Sequence, residues 1–352
     1  HKCKTYVLRN PPGVDLMELT GLVLARRNGQ LTVWMGSNTA GLFAFHPMGN
    51  QYRNYRLGGA GATIPMQVSL SQTILWVGND TGVYGLDVDS HQVRRHFQHR
   101  SDTENSLSDS RIRHALEYNG QLWVTTRNGL NQVDLATGRI RRYKSVAGES
   151  NTLVSNDLHN VSIHQGMLWI TTFGDGVSLI DLVSGAFDFY LFDRPGGMAA
   201  NTITTLAAGR DGDVPGVWIG SDNGFYFMDS PQGRLQKHSL NTRKPFAVYS
   251  IQQVGQCLWK ETEGRFTRYD IAQRKAATEV FGFPANDTLS QATYFADGFR
   301  DEPLSMWLGS WSQGITYLDT RTGRIRTYDP TRQQPAWGGQ GRQASFLETV
   351  EH

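Results

Sequence analysis

Between Arg111 and Tyr143 the apolar residues come in four short bursts, RIRHALEY, QLWVTT, LNQVD and RIRRY. Asn119-Gly120 separates the first two, Arg127 to Gly129 the second and third, and Ala136-Thr137-Gly138 the last two. Bursts of this length, rich in β-branched and aromatic residues and punctuated by Gly and Asn, predict strands joined by tight turns. Their order predicts a four-stranded antiparallel meander. The next stretch copies it as DLHNVSIHQGMLWITTFGDGVSLIDLVSGAFDFYLF, and a later one as MWLGSWSQGITYLDTRTGRIRTY.

The copies share one register. Trp34, Trp76, Trp123, Trp169, Trp218, Trp259 and Trp307 stand 41 to 49 residues apart, each inside such a burst. A Gly follows five to seven residues later (Gly41, Gly82, Gly129, Gly176, Gly224, Gly264, Gly314). An Asp closes the unit eleven or twelve residues after the Trp at Asp87, Asp134, Asp181, Asp229, Asp270 and Asp319, with His46 in the first copy. A period of this size marks a repeat architecture. One meander cannot bury both of its faces, whereas several packed radially can, with Trp and aliphatic side chains between neighbours. The expectation is an all-β chain, a single seven-bladed β-propeller with four-stranded antiparallel blades over residues 1–330, then a tail or linker over 331–352 rich in Gly near Gly338-Gly339-Gln340-Gly341. Lys4 to Leu8 is a candidate extra strand at the seam of the ring.

Composition agrees and removes several function classes. Of 352 residues 38 are Gly and 13 Tyr, which suits short strands and tight turns. Lys plus Arg number 34 against 32 Asp plus Glu, so nothing in the charge balance marks a nucleic-acid or membrane-surface partner. Cys3 and Cys257 are the only cysteines and indicate neither a disulfide framework nor zinc. The ten His include no His-Glu-x-x-His or i, i+4 pair, so neither a metal nor a cofactor is expected. The opening HKCKTYVLRNPPG has no apolar core of a signal peptide and reads as a trimmed start, compatible with a removed export signal or membrane anchor.

Turn chemistry separates structural from functional polar residues. In Asp-x-x-Thr-Gly, at Asp134 to Gly138 and Asp319 to Gly323, the carboxylate is expected to accept local backbone N–H groups and Gly to supply positive φ. The Gly after each Trp is expected where a Cβ would strain the start of the third strand. Long polar connections, Ser101 to Ser110, Gly148 to Asp157 and Arg194 to Thr202, fall at the same end of the blades as the loops TRNG, TFGDG, GSDNG, ETEG and GSWSQG. Binding groups concentrate on such loops. Phe173 and Trp311, outside the periodic set, offer aromatic faces there, and Arg113, Arg127, His159 and Asp222 fall near the same rim. An aromatic face beside polar donors suits a sugar or another amphipathic ligand. These six residues are the candidate ligand site.

The repeats resemble those of the two-component regulator propeller family. The family pattern, N-x-L-x-x-N-x-I, a strand, L-W-I-G-T, G-L-x-x-x-D, T-G and an aromatic-ended strand, is visible in NSLSDSRI with LWVTT and GLNQVD. It is visible again in NTLVSNDL with LWITT and GVSLID, and in NTITTL with VWIGSDNGFYFMD. The likeness covers about residues 15–329. It implies a periplasmic ligand-sensing domain of a bacterial signal-transduction protein, such as a hybrid histidine kinase. Tethering ahead of a membrane helix and output domain is implied with it, whereas the expected ligand, a small molecule or carbohydrate, comes from the loop residues above because family members recognise different molecules; a homodimer is the candidate assembly. Family members commonly carry two propellers; this chain shows seven repeats, and its sixth, LWKETEGRFTRYD, departs from the small residues usual after the Trp.

Two other classes make different demands. A lyase or glycoside-processing propeller would use loop carboxylates such as Glu261, Glu263 and Asp222, and WKETEG resembles one motif of virginiamycin B lyase in a single repeat. A serine hydrolase is excluded by GSWSQG, which has Ser310 where Gly-x-Ser-x-Gly needs its first Gly. A protein-binding scaffold would show a partner and no small ligand. The sequence favours the non-enzymatic sensor.

Overall fold

The bursts become strands almost residue for residue. A computed structural model describes residues 19–27, 29–37, 41–46, 51–55, 57–58, 67–71, 73–190, 202–230, 236–238, 247–248, 250–262, 265–282, 293–296, 305–310, 314–319, 325–333 and 344–349. Among them stand twenty-nine strands and no helix. The first sheet holds β1 (Leu19–Arg27), β2 (Gln30–Ser37), β3 (Gly41–His46) and β4 (Gln51–Tyr55). The second holds β5 (Gln67–Ser71), β6 (Ile74–Asn79), β7 (Gly82–Asp87) and β8 (Val93–Phe97). The third holds β9 (Ile112–Tyr118), β10 (Gln121–Thr126), β11 (Gly129–Asp134) and β12 (Ile140–Tyr143). The fourth holds β13 (Leu158–His164), β14 (Met167–Thr172), β15 (Val177–Asp181) and β16 (Phe187–Tyr190). The fifth holds β17 (Ile203–Asp211), β18 (Val214–Ser221), β19 (Gly224–Met228) and β20 (Gln236–His238). The sixth holds β21 (Ser250–Val254), β22 (Cys257–Thr262), β23 (Arg265–Asp270) and β24 (Lys275–Gly282). The last has five strands, β25 (Thr293–Ala296), β26 (Ser305–Ser310), β27 (Gly314–Asp319), β28 (Ile325–Gln333) and β29 (Ala344–Thr349).

Every sheet is an antiparallel meander, the β-propeller-like arrangement the repeats predict. One difference stands at the C-terminal end, where the stretch expected to be a linker contains β29, paired along β28 from Ile325↔Thr349 onward. Residues 4–8, the candidate seam strand, lie outside the described residues.

The chain divides into two compact units. One comprises His1–Asp80, Tyr84–Arg94 and Leu289–His352; within it β1 lies against β5 and also against β25 and β26, so the first repeat touches the second and the last. The other comprises Thr81–Val83 and Arg95–Thr288; within it β9, β13, β17 and β21 pack successively, as the inner strands of neighbouring sheets.

The periodic Trp residues are the reason the sheets pack. All seven are buried. Trp34 sits among Leu75, Val77 and Leu86 of the second sheet, and Trp123 among Leu158, Val161 and Leu168 of the fourth. Trp169 meets Val217, Ile219 and Tyr226 of the fifth sheet, and Trp218 meets Ile251, Leu258 and Tyr269 of the sixth. Each of these four indoles therefore fills the seam to the next repeat. Burial of an aromatic side chain of this size contributes about 4 to 6 kcal/mol of gross transfer free energy.

Two repeated devices hold each sheet. Gly129 has φ 109°, and a Cβ there would stand 2.5 Å from the Tyr143 carbonyl oxygen; at Gly41, with φ 87°, the clash would be with Tyr55 O at 2.9 Å. Only Gly allows the third strand to start so close to the fourth. The closing Asp is a turn former, as expected: Asp134 Oδ1 accepts from the N–H of Ala136 (3.0 Å) and Thr137 (2.8 Å), and Asp181 Oδ1 from Val183 and Ser184 (both 2.8 Å). Those backbone donors hold both carboxyl groups below the usual carboxylate range.

Two of the three long polar connections, Ser101 to Ser110 and Gly148 to Asp157, are knitted into the sheets; residues 194–201 of the third lie outside the described residues. Asn105 Oδ1 accepts from Ile140 N (2.8 Å) and Asn151 Oδ1 from Phe187 N (3.0 Å), so the Asn of each Asn-x-Leu motif satisfies the edge of the outer strand. Leu107 and Leu153 are buried beside them. Ser108 N donates to Asn131 Oδ1 at 2.7 Å, and Val154 N to Ser178 Oγ at 2.9 Å. These segments are latches.

Candidate functional site

The first residues of the inner strands carry a recurring irregularity. In β9 the partner of Thr125 is His114 and that of Thr126 is Ile112, leaving Arg113 as an extra residue. In β13 His159 and Asn160 together face Thr171, between the pairs Leu158↔Thr172 and Val161↔Ile170. In β17 Thr204 is the extra residue between Ile203↔Ser221 and Thr205↔Gly220. A β-bulge at one position in successive sheets re-aims a side chain out of the strand alternation. Here the re-aimed residues are Arg113, His159 and Thr204.

Phe173 follows β14, in the loop where Arg127 follows β10 and Asp222 follows β18. Its ring meets the His159 imidazole edge-on, with centroids 4.8 Å apart at 77°. The Arg113 guanidinium carbon lies 4.9 Å from the centroid of the same ring. Phe173 is nevertheless 42% exposed, so the aromatic face stays available. Its N–H donates to Asp157 O at 3.3 Å and its backbone bridges Thr202, whose carbonyl accepts from Asp222 N at 3.2 Å. The backbone thus sets Asp157, Phe173, Thr202 and Asp222 side by side. Below them the buried Thr125 hydroxyl donates to His159 O (3.3 Å), tying the third sheet to the fourth.

Several polar atoms here are sealed from solvent and find no hydrogen-bond partner among the described residues: Arg113 Nε, His114 Nδ1, Asp157 Oδ1, His159 Nδ1 and Asp222 Oδ1. A buried polar atom left unpaired costs roughly 1 to 3 kcal/mol, so such a cluster calls for a water or ligand group to complete it. Burial, and then the nearby Arg113 cation, push the His159 pKa down to about 4. Burial, reinforced by His159, does the same to His114. Both imidazoles are neutral near pH 7. Burial also lowers the Arg113 pKa against the opposing field of Asp157, and burial raises that of Asp222.

Of the six expected residues, Arg113 and His159 both meet the Phe173 ring, and Asp222 joins them through Thr202. Arg127 is exposed in the loop after β10, close enough to add to the field on Arg113. Trp311 lies outside the described residues, as does Glu263, and of Glu261 only the backbone in β22 is described. His114 and Asp157 belong to the cluster without having been anticipated. The signal was present: Ile112-Arg-His-Ala115 and Leu158-His-Asn-Val161 place their buried residues three apart, where a regular strand would place them two apart.

No protein-family model matches the chain, and no curated protein matches it either. Its structure is similar to the extracellular domain of the putative hybrid two component system BT3049 from B. thetaiotaomicron, with TM-score 0.64 and 15% identity over 98% of this chain and 48% of that one. It is similar also to the extracellular domain of the putative hybrid two component system BT4673 from the same organism, with TM-score 0.66 and 16% identity over 88% of this chain and 42% of that one. The chain therefore spans about half the length of these neighbours or less. A computationally designed protein, Ika8, reaches TM-score 0.61 at 12% identity over 98% of this chain and 100% of its own. Likeness at such identities establishes the fold, and two of these three neighbours are extracellular domains of the signalling proteins whose repeats the sequence resembles. Among the described residues no helix is long and apolar enough to cross a membrane.

Proposed function

We propose that the chain is a seven-bladed propeller serving as the periplasmic, non-catalytic sensor region of a bacterial signal-transduction protein, with a small polar or carbohydrate ligand held at the bulged rim of its inner strands. The observation that carries the reading is the convergence of Phe173 with Arg113 and His159, ringed by sealed polar atoms that have no hydrogen-bond partner among the described residues. A half-exposed aromatic face covers the apolar C–H surface of a sugar, and a mixed set of donors and acceptors suits hydroxyl groups, which both give and accept hydrogen bonds. The extracellular signalling domains among the structural neighbours support the sensor class and the compartment.

The test is a thermal-shift screen of the chain against neutral and acidic oligosaccharides, followed by calorimetry on any that raise Tm. Phe173→Ala and His159→Ala are expected to weaken such a ligand at least tenfold with little change in the Tm of the free protein for Phe173→Ala. Binding that survives both substitutions would place the ligand elsewhere and overturn the assignment of this site.

A further inference from the structure

Charge around the cluster is matched, whereas its hydrogen-bonding groups are not. Arg113 is the cation in contact with the Phe173 ring, and the backbone sets Asp157 and Asp222 beside it. Asp109 is engaged by Arg111, accepting its backbone N–H at 2.8 Å with the Arg111 Nε 3.9 Å away. Arg127 and Asp175 are exposed in the loops after β10 and β14, and the Lys144 ammonium donates to the Asn128 carbonyl in the first of these loops. Among these described residues four cations, Arg111, Arg113, Arg127 and Lys144, stand with four carboxyl groups, and neither sign is in excess. The two imidazoles add no charge near neutral pH. Of the five sealed atoms, Arg113 Nε can only donate and the carboxylate oxygens Asp157 Oδ1 and Asp222 Oδ1 can only accept. Each imidazole Nδ1 does either, according to its tautomer.

We infer that this site, on the ligand-binding reading above, takes an uncharged polyhydroxylated ligand, a neutral sugar unit or cyclic polyol, whose hydroxyl groups donate to the Asp157 and Asp222 carboxylates beside the Phe173 ring. An anion would meet two carboxylate oxygens that have no donor among the described residues, and like charges in a partly desolvated site repel strongly. A cation would meet Arg113, which already holds the cation–π position on the ring. A hydroxyl group brings no net charge, and it both gives and accepts hydrogen bonds, so it suits the carboxylate oxygens and the guanidinium alike. Its bond to a carboxylate is charge-assisted and stronger than one between neutral groups. The neutral imidazoles adopt whichever tautomer the ligand requires, and the exposed part of the Phe173 ring covers apolar C–H surface. The site therefore selects against acidic and amino sugars alike.

The experiment is calorimetry on the whole chain with four probe sets: neutral hexose and pentose oligosaccharides; free neutral monosaccharides and inositol; glucuronate, galacturonate and their methyl esters; and the amines glucosamine and galactosamine. Neutral probes are expected to bind, and the acids and amines to bind at least tenfold more weakly, with esterification of the acids recovering affinity. Binding of the neutral probes should not respond to added NaCl. Asp157→Asn and Asp222→Asn each keep the shape of the side chain and remove its charge. Both are expected to weaken neutral probes severalfold and to narrow the gap between neutral probes and acids. Binding by oligosaccharides alone, or by monosaccharides and inositol alone, would support the uncharged ligand in either case and identify its source.

Acids or amines binding as tightly as the neutral probes or more tightly, in a manner sensitive to Phe173→Ala, would overturn the uncharged ligand and leave the sensor site standing. Neutral binding that is sensitive to Phe173→Ala but unchanged in both Asp variants would overturn the hydroxyl–carboxylate contacts and again spare the site. Neutral binding that survives Phe173→Ala and His159→Ala would place the ligand elsewhere, and the site reading falls with the inference. If no probe set binds at all, both fall.

Discussion

Arg274 Nη2 donates to Asp211 Oδ2 at 2.7 Å, joining the turn after β23 to the end of β17, in the neighbouring sheet. The same guanidinium lies 2.9 and 3.0 Å from the ring nitrogens of the buried His238, whose Nδ1 is 3.3 Å from the Tyr269 hydroxyl. Arg274 has φ 53° at the turn position where the third and fourth sheets place Gly138 and Gly185, both at φ 73°. In the second sheet the corresponding residue is His91, at φ 59°, which reaches Arg53 at 3.0 Å and the Tyr55 hydroxyl of the sheet beside it. A left-handed conformation costs a non-Gly residue about 1 to 2 kcal/mol. Two repeats have exchanged that strain for a bond to the next sheet.

This exchange separates two substitutions at one position. Arg274→Ala keeps the strain and leaves Asp211, whose side chain is 8% exposed, without its cation, so a loss of about 2 to 3 kcal/mol is expected. Arg274→Gly loses the same bond but relieves the backbone, and should be more stable than the Ala variant by about 1 kcal/mol. Urea unfolding of both variants decides the matter. Equal losses would show that the turn is unstrained.

Glycines divide in the same way. Gly129→Ala would drive a Cβ to 2.5 Å from Tyr143 O, against backbone that cannot yield, whereas at Gly120 a Cβ meets nothing within 4 Å and only the φ of 73° resists. The first substitution is expected to cost more than about 3 kcal/mol and the second about 1 kcal/mol. Their Tm values, compared in one buffer, provide the check.

The latch segments supply a control for the ligand site. Asn151→Ala removes an acceptor from Phe187 N at the edge of β16, and Leu153→Ala empties a buried position between Trp123 and Leu168. Expected losses are about 1 kcal/mol for the first and about 2 to 4 kcal/mol for the second. Ligand affinity measured well below each Tm should be unchanged in both. A tenfold loss of affinity in Asn151→Ala would return the segment to the role of a binding loop.

The sequence made the sheets legible because their cause is periodic. Trp123 and Trp169 recur with Gly129 and Gly176 and with Asp134 and Asp181, and each member acts on a neighbour within one repeat or the next. The site was legible only in part. Phe173 was noticeable as an aromatic residue out of register, and Arg113 and His159 as polar residues near one rim. Strand alternation assigns His114 to the wrong face until the bulge at Arg113 is counted, and Asp157 precedes β13 in a segment that reads as a polar connection. The long connections misled for a related reason. A polar segment looks the same whether its side chains face solvent or, like Asn105, cap a strand edge.

Stability should fall on mild acidification. His114, His159, His164 and His238 all have pKa values near 4 in the folded chain, with burial the leading cause, against about 6.5 in the unfolded one. Below pH 6.5 the unfolded state binds more protons, so stability is retained above that pH and declines as pH falls toward 4, where the native sites begin to charge. His164, in hydrogen-bond contact with Ser162 Oγ at 3.1 Å and against Trp169, lies apart from the ligand cluster. His164→Gln should therefore flatten the decline of Tm between pH 6.5 and 4.5 without touching the site. A wild-type Tm that is constant over that range would contradict the buried neutral state of these imidazoles.

Binding and stability should then part company as pH changes. The site imidazoles stay neutral from pH 8 down to about pH 5. Affinity for a ligand of the Phe173 site should accordingly be flat over that interval, although the free protein has already begun to lose stability. Near pH 4 charging of His114 and His159 strains the fold around the site. Calorimetric titrations at pH 8, 6.5 and 5 test the plateau. An affinity that rises tenfold between pH 8 and 6 would mean that a histidine gains its proton on binding, with His159 then acting as a cationic partner rather than a neutral one.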